Sequence, residues 1–417
     1  MAEHESEDGS KRQIFIYMDD WPHATGSGAH LRFRSNVQAW VDLGYEVEVL
    51  RVAEKPADPP NWPGVLFTAL TPEPGPSSFW GKVQYRLAWP GRAALSHHFT
   101  KHTVTSKAVV DRMQRYPEAW HMLEGDSLGN VAPLFPSRRL LFSHHDLCAE
   151  GLEATYRSVA ESDQRPLSSA EKREVNFIRA AELHICRHSR LVLCISDHDR
   201  EVLQTRHGIS HATYFPMSVH PETCIARPGT HGKNELRLLH TGKVSHLPSY
   251  RSLEFIFQEV FPRLKPEVLQ RLRLRIVGTS DGSDNRTRRI REMGEPYRNI
   301  LEWSGFLPDL EPSYEWADLQ IVASTDVSGL RTRIVESLAR GLPVLSTPRA
   351  ARGLGGLSDG ENILLTETPE TCAAALERLV NDPGPLAALA QGGRELYLRQ
   401  HSQKAVSARL KQLLEHL

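Results

Sequence analysis

Apolar residues fall along this chain in short blocks of four to eight, separated by longer amphipathic stretches. Residues 14–18 (IFIYM) form the first block, with the length and composition of a buried strand. A loop rich in Gly and Pro follows over 19–28, and a helix is predicted over 30–43, stopped by Gly44. Residues 45–52 form the next strand, which closes a strand–helix–strand unit and implies a parallel sheet. Further strands are predicted at 65–70, 120–123, 140–143, 191–196 and 213–219. A long helix fills 168–190, and Asp197 is placed to cap the helix after 196.

A polar stretch with Pro221, Pro228, Gly229 and Gly232 interrupts the pattern over 220–234 and reads as a linker. The alternation then restarts. Strands are predicted at 236–240, 272–277, 300–303, 319–323 and 343–346. Helices are predicted at 249–264, 330–340, 369–381, 385–400 and 402–417. The expected architecture is α/β, two Rossmann-like doubly wound domains. The division is a polar N-terminus at 1–12, a first domain at 13–225, a linker at 226–235, a second domain at 236–400 and a terminal helix at 401–417. Ligands of such sheets bind beyond the carboxyl ends of the strands, so the expected site is the cleft between the halves.

Bulk properties narrow the function. With 50 Lys plus Arg against 51 Asp plus Glu, a net charge of -1 gives no case for nucleic-acid binding. Five dispersed cysteines without a C-x-x-C fit reduced thiols, not a disulfide frame or a zinc site. The polar start carries no signal peptide and no segment reaches the length of a membrane span, so a cytoplasmic protein is expected.

The segment 328–345 (SGLRTRIVESLARGLPVL) carries the most chemistry. Gly329 lets backbone N–H groups approach an anion at a helix start. Arg331 and Arg333 in the first turn oppose the helix dipole, at about 0.3–1 kcal/mol each. A bound diphosphate would convert that cost into charge-assisted hydrogen bonds. Ile334, Val335, Leu338 and Ala339 make the buried stripe and leave Glu336, one turn on, to meet vicinal ribose hydroxyls.

This segment and Arg352-Gly353-Leu354 resemble the donor-binding region of GT-B glycosyltransferases in the family-4-like, retaining group. Further pieces resemble that family in order: the glycine loop Gly26-Ser27-Gly28, the loop Gly242-Lys243, the strand 274–278 ending at Gly278, and Gly305-Phe306. The resemblance implies a hexosyl transfer from a nucleoside-diphosphate sugar to an acceptor hydroxyl, with retention and without metal or other cofactor. It also implies a terminal helix crossing back to the first domain. It gives Glu336 the ribose contact and Arg333, helped by Arg331, the diphosphate, with Lys243 as a further phosphate contact. The family often has a second glutamate where this chain has Ser328.

Two other stretches stand out. His144-His145-Asp146 follows a strand, where similar transferases place a histidine facing the donor sugar. His144 is the preferred residue, with His145 as the alternative and Asp146 as an orienting or acceptor-binding group. Residues 79–116 hold seven Lys or Arg and one acid, with Trp80, Tyr85 and Trp89 interleaved. This leaves open a peripheral contact with anionic lipid, where a lipid-linked acceptor glycan would reside; a small-molecule acceptor is the other option. A GT-B epimerase and a degenerate binding subunit are the rival readings.

Overall fold

The computed structural model describes residues 12–22, 28–52, 57–70, 80, 106–125, 132, 135–162, 164–219, 226, 235–278, 282, 284–324 and 329–417. The chain divides into two compact units, one of Met1–Ser218 with Gln403–Leu417 and one of Val219–Ser402.

In the first unit, strands β1 (Gln13–Met18), β2 (Glu46–Val52), β3 (Val65–Leu70), β4 (Trp120–Glu124), β5 (Leu140–His144), β6 (Leu191–Cys194) and β7 (Ala212–Tyr214) form one sheet. Its order is β3-β2-β1-β4-β5-β6-β7 and every pairing is parallel. β1 shows why so apolar a strand forms here. Ile14, Ile16 and Met18 enter one core with Val37, Trp40 and Phe215, while Phe15 and Tyr17 enter the opposite one with Leu123 and Phe142. A strand covered on both faces has no place for the polar alternation of a half-exposed one.

Helices α1 (Gly28–Asp42), α2 (Ser106–Arg115), α3 (Cys148–Ser162), α4 (Ser169–His188) and α5 (Asp197–His207) cover this sheet with the terminal helix, Gln403–Glu415. α4 begins in a capping box between Ser168 and Glu171. Asp197 is not the cap of α5. Ser196 is, its Oγ accepting from Asp199 N, and Asp197 is the first helical residue, paired with Arg200. The extended run expected over 213–219 is paired only as far as Tyr214, its last bond to β6 running from Phe215 N to Cys194 O, and beyond it the carbonyls of Phe215 and Pro216 accept from Arg32 instead.

The second unit repeats the plan. Strands β8 (Leu236–Thr241), β9 (Leu272–Val277), β10 (Leu301–Gly305), β11 (Leu319–Val322), β12 (Val344–Ser346) and β13 (Leu364–Leu365) form a parallel sheet ordered β10-β9-β8-β11-β12-β13. Leu236 and Leu238 face a core with Leu253, Phe257 and Leu376, and Leu239 faces the other side with Tyr314 and Leu342. The helix expected over 249–264 is α6 (Leu247–Phe255), then a π-helical turn Ile256–Val260 and a 3₁₀ turn Phe261–Arg263. Pro262 explains the change, since it lacks the N–H for the next α-helical bond and its ring crowds the carbonyl one turn back. Helices α7 (Pro266–Leu269), α8 (Asn285–Gly294), α9 (Glu311–Trp316), α10 (Thr332–Arg340), α11 (Pro348–Ala351), α12 (Pro369–Asn381) and α13 (Pro385–Leu396) complete the unit. The last expected helix turn, to 400, is a π-helical turn Tyr397–His401.

Among the described residues no helix is long and apolar enough to cross a membrane. No group of three or more His, Cys, Asp or Glu among them stands as a metal-holding cluster.

Candidate functional site

In the second unit the strand order reverses between β8 and β11, which is where a doubly wound sheet opens a crevice. β8 ends at Thr241 and the chain turns through Gly242, whose N–H donates to Val277 O at 2.8 Å. The approach to β9 is too close for any side chain. A Cβ on Gly278, at φ +149°, would lie 2.1 Å from the Gly242 carbonyl oxygen. A Cβ on Gly242 would lie 2.8 Å from Nη2 of Arg333. Glycine at 242 therefore leaves room for a guanidinium at the strand end.

That guanidinium comes from the first turn of α10. Arg333 Nη2 donates to Ser249 Oγ at 2.9 Å, and Nη1 lies 3.2 Å from His240 Nε2. Burial, with Arg331 beside it, pulls the Arg333 pKa down to about 10. Burial and the Arg333 charge hold His240 well below the ordinary imidazole value, so it is neutral near pH 7 and its Nε2 accepts from the guanidinium. Arg331 is 8% exposed and occupies the N-cap of α10, where no side chain caps the helix. One buried and one half-buried cation at an uncapped helix start oppose the dipole, and an anion there would relieve that cost.

Glu336 lies one turn further along α10, and its Oε2 accepts from the hydroxyl of Tyr314 at 3.0 Å. Tyr314 is fully buried, and burial together with Glu336 pushes its pKa well above the ordinary phenol value. Arg340 stacks on the Tyr314 ring at 4.5 Å, donates to Glu336 O, and pairs with Glu311 at 2.7 Å. Gly329 is in the left-handed conformation two residues before Arg331. Lys243 is exposed on the loop after β8, and Phe306, 71% exposed, follows β10. Ser328 lies outside the described residues.

In the first unit the two candidate histidines separate. His144, the last residue of β5, is fully buried and its Nε2 meets Glu182 Oε1 at 2.7 Å. Glu182 also accepts from Cys148 N at 3.3 Å. Of the two candidates, His144 has no exposed surface and His145 keeps some. The His145 side chain is 18% exposed and its Nε2 lies 3.0 Å from Glu124 Oε2, at the end of β4. Asp146, next in the chain, is exposed. Gly28 starts α1, and Gly26 and Ser27 lie outside the described residues.

Several residues at these strand ends gave no sequence signal. Asn36 Nδ2 donates to Glu124 Oε1 at 2.5 Å and to Ser143 Oγ at 3.0 Å. Arg32, fully buried, donates to the carbonyls of Phe215 and Pro216 at 2.7 and 3.0 Å. It reaches Leu193 O at 3.3 Å and Ser143 Oγ at 3.4 Å. Asp199 is buried close to His144, and burial raises its carboxyl to about 7 against the opposing pull of that histidine. In the second unit His240 read as one position of an apolar block, and Ser249 as a helix start.

The two doubly wound units share the GT-B fold of solved structures. HepE from Anabaena in complex with UDP superposes with a TM-score of 0.67 at 15% identity, covering 97% of this chain and 100% of that one. Sucrose-phosphate synthase from Thermosynechococcus elongatus gives 0.66 at 18% identity, covering 97% and 99%. A glycosyltransferase from Rickettsia africae gives 0.63 at 11%, covering 97% and 98%. Residues 235–382 match the family Glycosyl transferases group 1, and that stretch contains Arg331, Arg333 and Glu336. No curated protein matches the sequence.

Proposed function

We propose that this chain transfers a hexosyl group from a nucleoside-diphosphate sugar to an acceptor hydroxyl, with retention and with no metal or organic cofactor. The observation that carries the reading is the placement of Arg331 and Arg333 at the uncapped start of α10, with Arg333 against the turn at Gly242. As the glycosidic bond to the diphosphate breaks, negative charge grows on the leaving oxygen. Preorganised cations and helix N–H groups stabilise that charge without reorganising, which is the largest electrostatic lever available to such a site. Arg333 bears on the diphosphate, Arg331 and Lys243 assist, and Glu336 holds the ribose hydroxyls. Gly278 and Phe306 line the neighbouring loops. His145 faces the sugar, with Asp146 beside it.

The solved complexes of HepE with UDP and with UDP-glucose make a uridine donor the first to test. The acceptor in this reading is a glycan, lipid-linked or small. A membrane contact through 79–116 belongs to the same proposal, and flotation with anionic vesicles tests it. Within that segment Arg112 is already committed, in an ion pair with Glu48.

The test is a thermal-shift panel of UDP-, GDP-, ADP-, TDP- and CMP-sugars. A ligand at 100 times its Kd stabilises by about 2.7 kcal/mol. At least one donor is expected to raise Tm, and Arg331→Glu with Arg333→Glu is expected to abolish that rise. An unchanged nucleotide affinity in the doubly reversed variant defeats the reading.

A further inference from the structure

The first unit buries a chain of polar groups that ends on the imidazole of His145. It starts at Arg32 on α1, a cation with no exposed surface, held by three main-chain carbonyls from β6 and the segment after β7. It continues through Ser143 Oγ, which accepts from both Arg32 and Asn36. Asn36 then donates to Glu124, a carboxylate with no exposed surface at the end of β4, and Glu124 meets His145. Burying such a carboxylate is expensive unless it is hydrogen-bonded and near a compensating charge. Here both oxygens have a donor, and the charge of Glu124 offsets part of the desolvation of Arg32.

We infer that Glu124 is a positioning residue that locks the tautomer and ring orientation of His145. The inference rests on the transferase reading for its purpose but not for its geometry. A carboxylate only accepts, so the imidazole proton belongs on Nε2 and Nδ1 is left as the acceptor. Nδ1 lies over Gly125, 3.8 Å from where a Cβ would stand. The 18% exposure of this side chain, against none for His144, leaves His145 as the histidine able to meet a ligand. Nδ1 then accepts a hydrogen bond from a hydroxyl of the bound sugar, and a ring of the wrong tautomer would present a donor instead. His144 and Glu182 form a second buried histidine–carboxylate pair behind it, which anchors the start of the loop.

The tautomer can be read in the full-length protein by proton–nitrogen correlation of isotope-labelled histidine rings, with His145 assigned by its loss in His145→Asn. Wild-type protein is expected to show His145 protonated on Nε2. Glu124→Gln is expected to mix the two tautomers, and Glu124→Asp to retain the native one more fully. In turnover of UDP-glucose, or of whichever panel donor binds, Glu124→Gln is expected to lower kcat about a hundredfold with KM unchanged. A wild-type His145 protonated on Nδ1, or a tautomer untouched by Glu124→Gln, overturns the inference. If wild-type protein bound no nucleotide sugar, the transferase reading would fall and the purpose of the lock with it. The ring spectra would still decide whether Glu124 sets the tautomer.

Discussion

Tyr314 and Asp199 are both buried polar side chains, yet they respond to different questions. Tyr314 spends its one donor on Glu336, so the carboxylate that is assigned the ribose has its second oxygen oriented from behind. Removing that hydroxyl leaves Glu336 free to rotate and loses one hydrogen bond to a charged group, about 1.5–3 kcal/mol. Tyr314→Phe should therefore weaken binding of a ribonucleoside diphosphate about tenfold or more while hardly affecting its 2′,3′-dideoxy analogue, as titration calorimetry would show. Equal weakening of both would count against the ribose role.

Asp199 is a question of pH. Burial raises its folded-state carboxyl from 3.8 to about 7. A raised folded pKa means that the native state holds the proton longer than the unfolded chain. The stability linked to that proton is complete below the unfolded value and is lost as pH rises through about 7. Asp199→Asn removes the titration, so its Tm should fall less than wild type between pH 5 and pH 8, by about 2–4 °C. The comparison is a pair of melting curves at each pH, and parallel curves would dismiss the role of this carboxyl.

At the level of elements, the last helix is the most instructive. Designated α14, Gln403–Glu415 sends Val406 and Leu410 into the core that holds Ile14, Ile16 and Trp40. Ser407 Oγ donates to Asp42 at 2.6 Å and Gln403 donates to Ser35 O at 3.1 Å. A segment at the far end of the chain is thus built into the first unit, beside α1. Leu410→Ala should cost the first unit about 2–5 kcal/mol, the usual range for an emptied core site. A lowered urea midpoint would verify it, and a change within about 0.5 kcal/mol would show the helix to be a surface attachment. Elsewhere, local chemistry overruled periodicity. Pro262 turned the end of α6 into π and 3₁₀ turns, and Arg32 took the carbonyls of Phe215 and Pro216 just past β7. The periodicity does not mark α2, α3, α8 and α9, and α8 shows why: it buries one large apolar residue, Ile290, between four arginines.

At the scale of the molecule, central strands such as β1, β6 and β11 were legible because both their faces are covered, and doubly buried parallel strands are written as apolar runs. The cationic helix start was legible for an equally local reason, since arginines in a first turn contradict the helix dipole and so call for an anion. What remained hidden are contacts between residues far apart in sequence. Nothing in Asn36, Ser143 and Glu124 announces a shared network, and no spacing rule distinguishes His144 from His145. That choice follows from which ring the packing seals against Glu182 and which it leaves at the strand edge beside Glu124. The sequence by itself determined the two doubly wound sheets and the anion-seeking turn of α10, because periodicity and dipole sign act over a few residues. Only the tertiary structure decided which buried polar groups meet, because burial and partner distance exist only once the chain has closed on itself.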